Sequence, residues 1–246
     1  MSKGNVLITG VSTGIGLYTA KKFAQEGYTV FGSVRKQVDA DRLSNDFGEY
    51  FHPLIFDVCD AEAIQKAVLI VENKVGKNGL AGLVNNAGIV IYGPLKELEI
   101  SAFEQQMNVN VLGLLRVTKA FLPLLGAQYP QQFSPGKVIN ISSVAAVFTT
   151  PFLAPYSASK KAVEAITDGL RMELLPYGID VVSILPGPVK TPIWKKADQR
   201  KNDFAGTDYE VIMKKSSKMI AKTEAKAIEP EKVAQLIEGI FTNKKK

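Results

Sequence analysis

Tyr156 and Lys160 stand four residues apart behind Pro155, a residue suited to a first helical turn, so their side chains share one helix face. A phenol near pKa 10 is a poor acid–base group at neutral pH, but a nearby ammonium favours its phenolate. The pair is therefore a candidate for proton transfer, although taken alone such a pair is more often surface decoration. A second constellation lies at the other end of the chain. The run Thr9-Gly10-Val11-Ser12-Thr13-Gly14-Ile15-Gly16 joins a strand-like segment to a helical one. Glycines at such a turn let the backbone approach a pyrophosphate, which rests against free N–H groups at the helix N-terminus. The spacing is G-x-x-x-G-x-G and not the G-x-G-x-x-G of the common dinucleotide fingerprint. Further on, Ser33-Val34-Arg35-Lys36 has no acid before Asp39. An acid at that place would bond the ribose 2′-hydroxyl of NAD, whereas Arg35 can grip a 2′-phosphate, which favours NADP(H) over NAD(H).

The segment Gly10–Gly14 also satisfies G-x-S-x-G, the nucleophile elbow of hydrolases. A triad would need a histidine later in the chain, and the single histidine, His52, leads into a strand with no suitable carboxylate between it and the elbow. Hydrolysis is set aside on that ground, and no metal site is expected.

The elements that must position these residues follow from the apolar pattern. Strands are predicted over Asn5–Thr9, Thr29–Val34, His52–Asp57, Leu80–Asn85, Val138–Ser142 and Asp180–Leu185, rich in Val, Ile and Leu with little polar alternation. Helical spacing covers Gly16–Glu26, Ala61–Val75, Ser101–Leu125 and Pro155–Tyr177. Strands alternating with helices predict an α/β fold: a Rossmann-type, doubly wound parallel sheet of at least six strands in the order 3-2-1-4-5-6, helices on both faces. With no repeat or linker, residues 1–246 are expected to form a single domain. Within it, residues 190–226 are long, polar and weakly periodic, and are expected to be a mobile substrate lid with one or two short helices. Pro230 then opens a final helix with Ile228, Val233, Leu236, Ile237 and Ile240 as apolar positions.

Composition narrows the function classes. Hydrophobic residues make up 46% and charged residues 22%, an ordinary globular balance. No apolar run reaches the roughly 20 residues that span a bilayer. The N-terminus enters a strand at once, without a secretory pattern, and Cys59 has no cysteine to pair with; a reducing, cytoplasmic setting is expected. Of the net charge of +6, residues 195–226 carry +4, nine Lys/Arg against five Asp/Glu. Interleaved acids and the lack of an aromatic ladder point to solvated helix faces and away from nucleic acid. Lys244–Lys246 are expected to be a frayed end.

Six elements together carry a resemblance: Thr9–Gly16, Asn85-Asn86-Ala87-Gly88, Asn108-Val109-Asn110-Val111-Leu112-Gly113, Ile141-Ser142-Ser143, Tyr156-x-x-x-Lys160 and Pro186-Gly187. In this order and spacing, over residues 4–192, the chain resembles the classical short-chain dehydrogenases/reductases. The resemblance implies a tetrad of Asn110, Ser143, Tyr156 and Lys160. Tyr156 would exchange a proton with the substrate oxygen and Ser143 would hydrogen-bond it. Lys160 would hold the nicotinamide ribose and lower the tyrosine pKa, and Asn110 would position a water in the relay. By its place before Val111-Leu112-Gly113 the asparagine is Asn110 and not Asn108, and Ser142 is an adjacent rival to Ser143. The cofactor would meet Gly10, Ser12, Thr13, Gly14, Ile15, Gly16, Arg35, Asp57, Val58, Asn86, Ala87 and Gly88. Pro186, Gly187, Val189 and Thr191 would lie along the nicotinamide, with Asn85 serving structure.

Substrate contacts in that family come from the residues after Asn86, from Val144–Leu153 and from the insertion after Thr191. Here those stretches are apolar, with Ile89, Val90, Ile91, Tyr92 and Trp194, which suggests a hydrophobic alcohol or ketone. The run Tyr156–Thr191 is similar to the hydroxysteroid and retinol dehydrogenase branch. The sequence stops short of the family's seventh strand. That disfavours a tetramer built through the strand and favours a homodimer through the long-helix faces, Ser101–Leu125 and Pro155–Tyr177. The expected activity is NADP(H)-dependent carbonyl reduction or alcohol oxidation. A cofactor-binding redox sensor is the alternative; an epimerase or dehydratase would need a larger C-terminal domain.

Overall fold

The computed structural model describes residues 2–194 and 203–242. Strands β1 (Asn5–Ile8), β2 (Thr29–Val34), β3 (Phe51–Ile55), β4 (Gly82–Asn85), β5 (Lys137–Ile141) and β6 (Asp180–Ile184) form one parallel sheet in the expected order, β3-β2-β1-β4-β5-β6. Successive side chains on a strand point to opposite faces, and both faces are covered. Leu7, Phe31, Leu83 and Val138 pack into one core; Val6, Ile8, Val30, Val84 and Ile139 pack into the other. Pro53 removes one ladder donor, and it sits on β3, an edge strand, where that loss is tolerated.

The α-helices whose full span lies among the described residues are α1 (Gly14–Gln25), α2 (Gln37–Phe47), α3 (Ala61–Val75), α4 (Ile100–Met107), α5 (Leu114–Phe121), α6 (Ala154–Glu173), α7 (Glu210–Ala225) and α8 (Pro230–Thr242). The predicted α3 span is met residue for residue: Asp60 caps it by accepting from Ala63 N at 2.9 Å. The long helix expected over Ser101–Leu125 is two helices joined by a π-helical turn, Asn108–Gly113. Gly113 is required there, because a Cβ would lie 2.6 Å from a Val58 methyl. Likewise, the segment expected over Pro155–Tyr177 is α6 followed by a 3-10 turn, Leu175–Tyr177. Two helices differ from expectation. α2 is absent from the predicted set, since only Ala40 and Leu43 of its residues are buried. Among the described residues of the insertion, α7 runs for 16 residues, longer than the short helices expected there.

Two features close the fold around the sheet. α8 lies against α1, with Phe241 edge-on to Phe23 at 5.0 Å between ring centroids and seated over Gly82, where a Cβ would fall 2.3 Å from its ring. Val189 and Ile228 form an isolated parallel bridge: Lys190 N donates to Ile228 O and Ile228 N donates to Pro188 O, both at 3.0 Å. The two ends of the insertion are thereby pinned to each other just beyond β6. Residues 195–202 of the expected lid and Lys244–Lys246 lie outside the described residues. No helix among the described residues is long and apolar enough to cross a membrane.

Candidate active site

The glycine turn is built from the sheet outward. Thr9 Oγ1 accepts from Asn86 N and Ala87 N, both at 2.9 Å, so the C-terminal ends of β1 and β4 are joined. Asn86 Nδ2 donates to Thr9 O at 2.8 Å and Gly10 O at 3.0 Å, and Gly10 N donates to Ser33 Oγ at 3.0 Å. Gly10 and Gly14 have φ of 70° and 60°, the left-handed region that favours glycine. α1 then starts after an extended Thr13 whose side chain makes no capping bond, so its first-turn N–H groups face the turn. Gly16 serves packing: a Cβ there would meet Gly10 O at 2.3 Å and Asn86 Nδ2 at 2.4 Å.

A cleft of about 430 Å³ opens at the strands' C-terminal ends. Every expected site residue except Gly16 and Asn110 lines it. Arg35 and Asp57 flank one end, with Arg35 Nη1 3.8 Å from Asp57 Oδ2, and both are largely open to solvent. Asp57 Oδ1 also accepts from Cys59 N at 2.9 Å. Among the described residues, no group of His, Cys, Asp and Glu is arranged to hold a metal. His52, the only candidate for a hydrolase base, packs on Phe31 in β3 and does not line the cleft.

Ser143, Tyr156 and Lys160 meet at the other end. Ser143 ends the stretch after β5, and Tyr156 and Lys160 project from the first turns of α6. Burial pushes the Tyr156 phenol above its ordinary value, opposed by a hydrogen bond with the Ser143 side chain. The lowering expected from Lys160 is not what sets the direction: burial raises the phenol, and what opposes it is the Ser143 hydrogen bond. Lys160 Nζ lies 5.7 Å from the Tyr156 ring centroid and donates to Ile141 O at 2.7 Å. Burial pushes this ammonium down to about 8, opposed by the Glu164 charge. Both shifts have one cause, a low-dielectric corner that disfavours charge on either group.

Asn110 is brought near but spent on the main chain. It lies in the π-helical turn, a distortion that recurs at functional sites. Its Oδ1 accepts from Ile89 N at 2.9 Å, and its Nδ2 donates to Ile89 O at 3.0 Å and Ser159 Oγ at 3.1 Å. Ser159 Oγ in turn donates to Tyr156 O at 2.7 Å. Asn85 takes the structural place expected of it: its Nδ2 donates to Thr118 and Asn140, and Asn140 donates to Thr167, tying α5 to α6 through the sheet.

Residues 4–202 match the family model described as short chain dehydrogenase. The chain belongs to the short-chain dehydrogenase family. It is 46% identical over 239 residues to the NADPH-dependent 3-dehydrocapnine reductase of Ornithobacterium rhinotracheale, covering 97% of this chain and 84% of the relative. Retinol dehydrogenase 5 of Mus musculus is 34% identical over 189 residues, 76% of this chain and 57% of that one, in keeping with the retinol-type branch. Among solved structures, ElxO with NADP bound superposes with a TM-score of 0.78 at 27% identity, covering 98% of this chain and 92% of that chain. This dehydrogenase is therefore an NAD(P)-dependent oxidoreductase of the kind that interconverts CH–OH and C=O.

The residues present fit a dinucleotide. Gly10 and Gly14 line the cleft without side chains, and two buried polar groups in its wall, Ser142 Oγ and Trp194 Nε1, have no hydrogen-bond partner among the described residues. Several wall residues of this dehydrogenase are not among the expected cofactor contacts: Ser33, Val34 and Phe56 near Arg35, and Gln105, Val109, Pro192 and Ile193 opposite. All but Gln105 lie within two residues of an expected contact in the sequence, so the motifs point to their neighbourhood without naming them. The Val144–Leu153 stretch behaves differently from expectation. None of it lines the cleft; Phe152 and Leu153 instead pack with Tyr92, Phe204, Tyr209 and Met213 in a small separate core under α7. Phe152 takes φ of 70°, a strained conformation for a non-glycine residue, and sits edge-on to both Tyr92 and Tyr209.

Proposed function

We propose that this dehydrogenase reduces a hydrophobic ketone with NADPH, Tyr156 giving its proton to the substrate oxygen. The observation that carries the assignment is the convergence of Tyr156, Ser143 and Lys160 at one end of a cleft whose other end is the glycine cradle. NADPH, when bound, supplies the hydride. The chain's residues do the rest. A buried phenol that stays protonated at neutral pH is a ready acid, and its hydrogen bond with Ser143 orients it. As the oxygen gains charge, the two hydroxyls stabilise it. Lys160, a cation beside the ring, favours the phenolate left behind and would hold the nicotinamide ribose. Asn110, through Ser159, holds the start of α6 to the wall at Ile89.

Arg35 would grip the 2′-phosphate; the Ornithobacterium relative's name and the NADP bound to ElxO support this preference. Gly10–Gly14 would hold the pyrophosphate, Asp57 and Val58 the adenine, and Ala87, Gly88, Pro186, Gly187, Val189 and Thr191 the nicotinamide half. Ile89, Val90, Ile91, Ile193 and Trp194 give the substrate end its apolar wall. The chain acts as one domain in this reading, with residues 190–226 as its lid, and pairs with a second copy through α4, α5 and α6.

Steady-state oxidation of NADPH and NADH over a panel of steroid, retinoid, aliphatic and aromatic carbonyls tests the proposal. Tyr156→Phe should lower kcat by about 10²- to 10⁴-fold while leaving NADPH affinity intact; retained activity would sink the mechanism. Arg35→Ala should weaken NADPH at least tenfold more than NADH. Equal losses would remove the role given to Arg35. Tight NADPH binding with no turnover of any carbonyl would point to a sensor instead.

A further inference from the structure

Gln106 is a polar side chain with no exposed surface, four residues before Asn110 and on the same side of the helix. It does not line the cleft and belongs to none of the motifs that mark the family. Its carboxamide is nonetheless fully engaged. Oε1 accepts from Ile91 N at 2.6 Å, and Nε2 donates to Ile89 O at 2.8 Å. Asn110 takes the remaining donor, Ile89 N, and shares Ile89 O. Two carboxamides on one helix thus satisfy three main-chain groups of a segment that pairs with no strand. Residues 89–91 are the segment in question, and all three line the substrate end of the cleft.

We infer that Gln106 is a positioning residue that sets the substrate wall. An extended segment outside a sheet has no ladder to fix it, and an unpaired buried amide is costly. Gln106 and Asn110 act as the missing ladder. Because Asn110 also bonds Ser159, and Ser159 bonds Tyr156 O, the wall is held in register with the helix that carries the phenol. The division of labour follows from position. Asn110 links wall to catalytic helix, whereas Gln106 alone holds the far end, at Ile91, shares Ile89 O with Asn110, and does not itself line the cleft. Loss of Gln106 should therefore loosen the grip on the apolar part of the substrate and leave the cofactor site unchanged. This rests on the ketone-reductase reading above, and it adds a chemical class: ketones whose affinity grows with the length of an apolar chain lying along Ile89–Ile91.

The test uses two variants of the full-length protein. Gln106→Met keeps the volume and removes both bonds; Gln106→Glu keeps an acceptor for Ile91 N and removes the donor to Ile89 O. Hydrogen exchange of the Ile91 amide should be fast in Gln106→Met and remain slow in Gln106→Glu, with amides of β4 and β5 unchanged in both. Unchanged Ile91 protection in Gln106→Met would overturn the proposal. So would loss of protection throughout the sheet, which would make Gln106 a general packing residue. The second readout is a series of methyl ketones of increasing chain length. Wild-type KM should fall along the series, and in Gln106→Met it should rise roughly tenfold for the longest member with kcat nearly kept and NADPH affinity the same. A parallel fall of kcat and NADPH affinity would also overturn it. If the wild type reduces none of the ketones, the reaction assignment fails, while the exchange readout still decides the wall.

Discussion

Burial acts on Lys160 in a direction that can be read in stability as well as in catalysis. Its ammonium is pushed down to about 8 in the folded protein, from 10.5 when unburied. Below both values the two states hold the same proton, and the folded state bears the full cost of a buried charge. Between them the unfolded chain keeps a proton that the folded one has lost, so stability rises with pH, by roughly 3 kcal/mol over the whole interval. Tyr156 is shifted upward and works against the gain from about pH 10 onward, which leaves pH 8–10 as the window. Urea unfolding should show the rise in the wild type and not in Lys160→Met, and the variant should be the more stable of the two near pH 7 while inactive. A flat wild-type profile would contradict the buried-charge account. At this scale the sequence was generous where chemistry needs fixed spacing, as with Tyr156 and Lys160 on consecutive turns. It was silent on Gln106, because a glutamine inside a helical stretch carries no sign that its partners are main-chain atoms of a segment fifteen residues upstream.

Among the elements, glycines separate two jobs that look alike in sequence. Gly16 is hemmed in by protein atoms, whereas Gly187 lines the cleft with no protein atom within 4 Å of an added Cβ. Gly16→Ala should therefore lower both thermal stability and NADPH affinity. Gly187→Ala should keep the melting temperature and weaken NADPH alone, by about tenfold. Quenching of Trp194, the only tryptophan and part of the cleft wall, reports binding in each case. Equal melting losses would mean that the two glycines do one job. The strands were legible to within about two residues because burial on both faces leaves a continuous Val, Ile and Leu signature. α2 was not, since a helix that buries two residues has almost no apolar period. The π-helical turn was hidden for a different reason: Asn108–Gly113 keeps helical spacing on either side, and only the contact of Gly113 with Val58 betrays the extra residue.

For the whole molecule, packing of α8 completes the face opposite α3 and α5. Phe241→Ala should cost about 2–4 kcal/mol in urea unfolding, since Phe23, Tyr28 and Gly82 all shape its seat; a loss under 1 kcal/mol would mean that α8 is an accessory. The proposed pairing of two copies makes its own demand. Lys161, Ala165, Asp168 and Met172 form an exposed face of α6, and Ala165→Arg should turn a dimer into a monomer in sedimentation velocity runs. A monomeric wild type would end that part of the proposal. The bridge between Val189 and Ile228 reaches further than its two hydrogen bonds suggest. Because the chain departs from and returns to one pinned point just beyond β6, whatever lies between forms a closed loop whose entropic cost of closure grows only slowly with length, by about 0.6 kcal/mol for each doubling. Natural variation can lengthen, shorten or replace that excursion without disturbing the sheet, the cradle or the proton donor. A new substrate preference can thus be acquired as a cassette, cut and joined at two adjacent residues, on an otherwise unchanged machine.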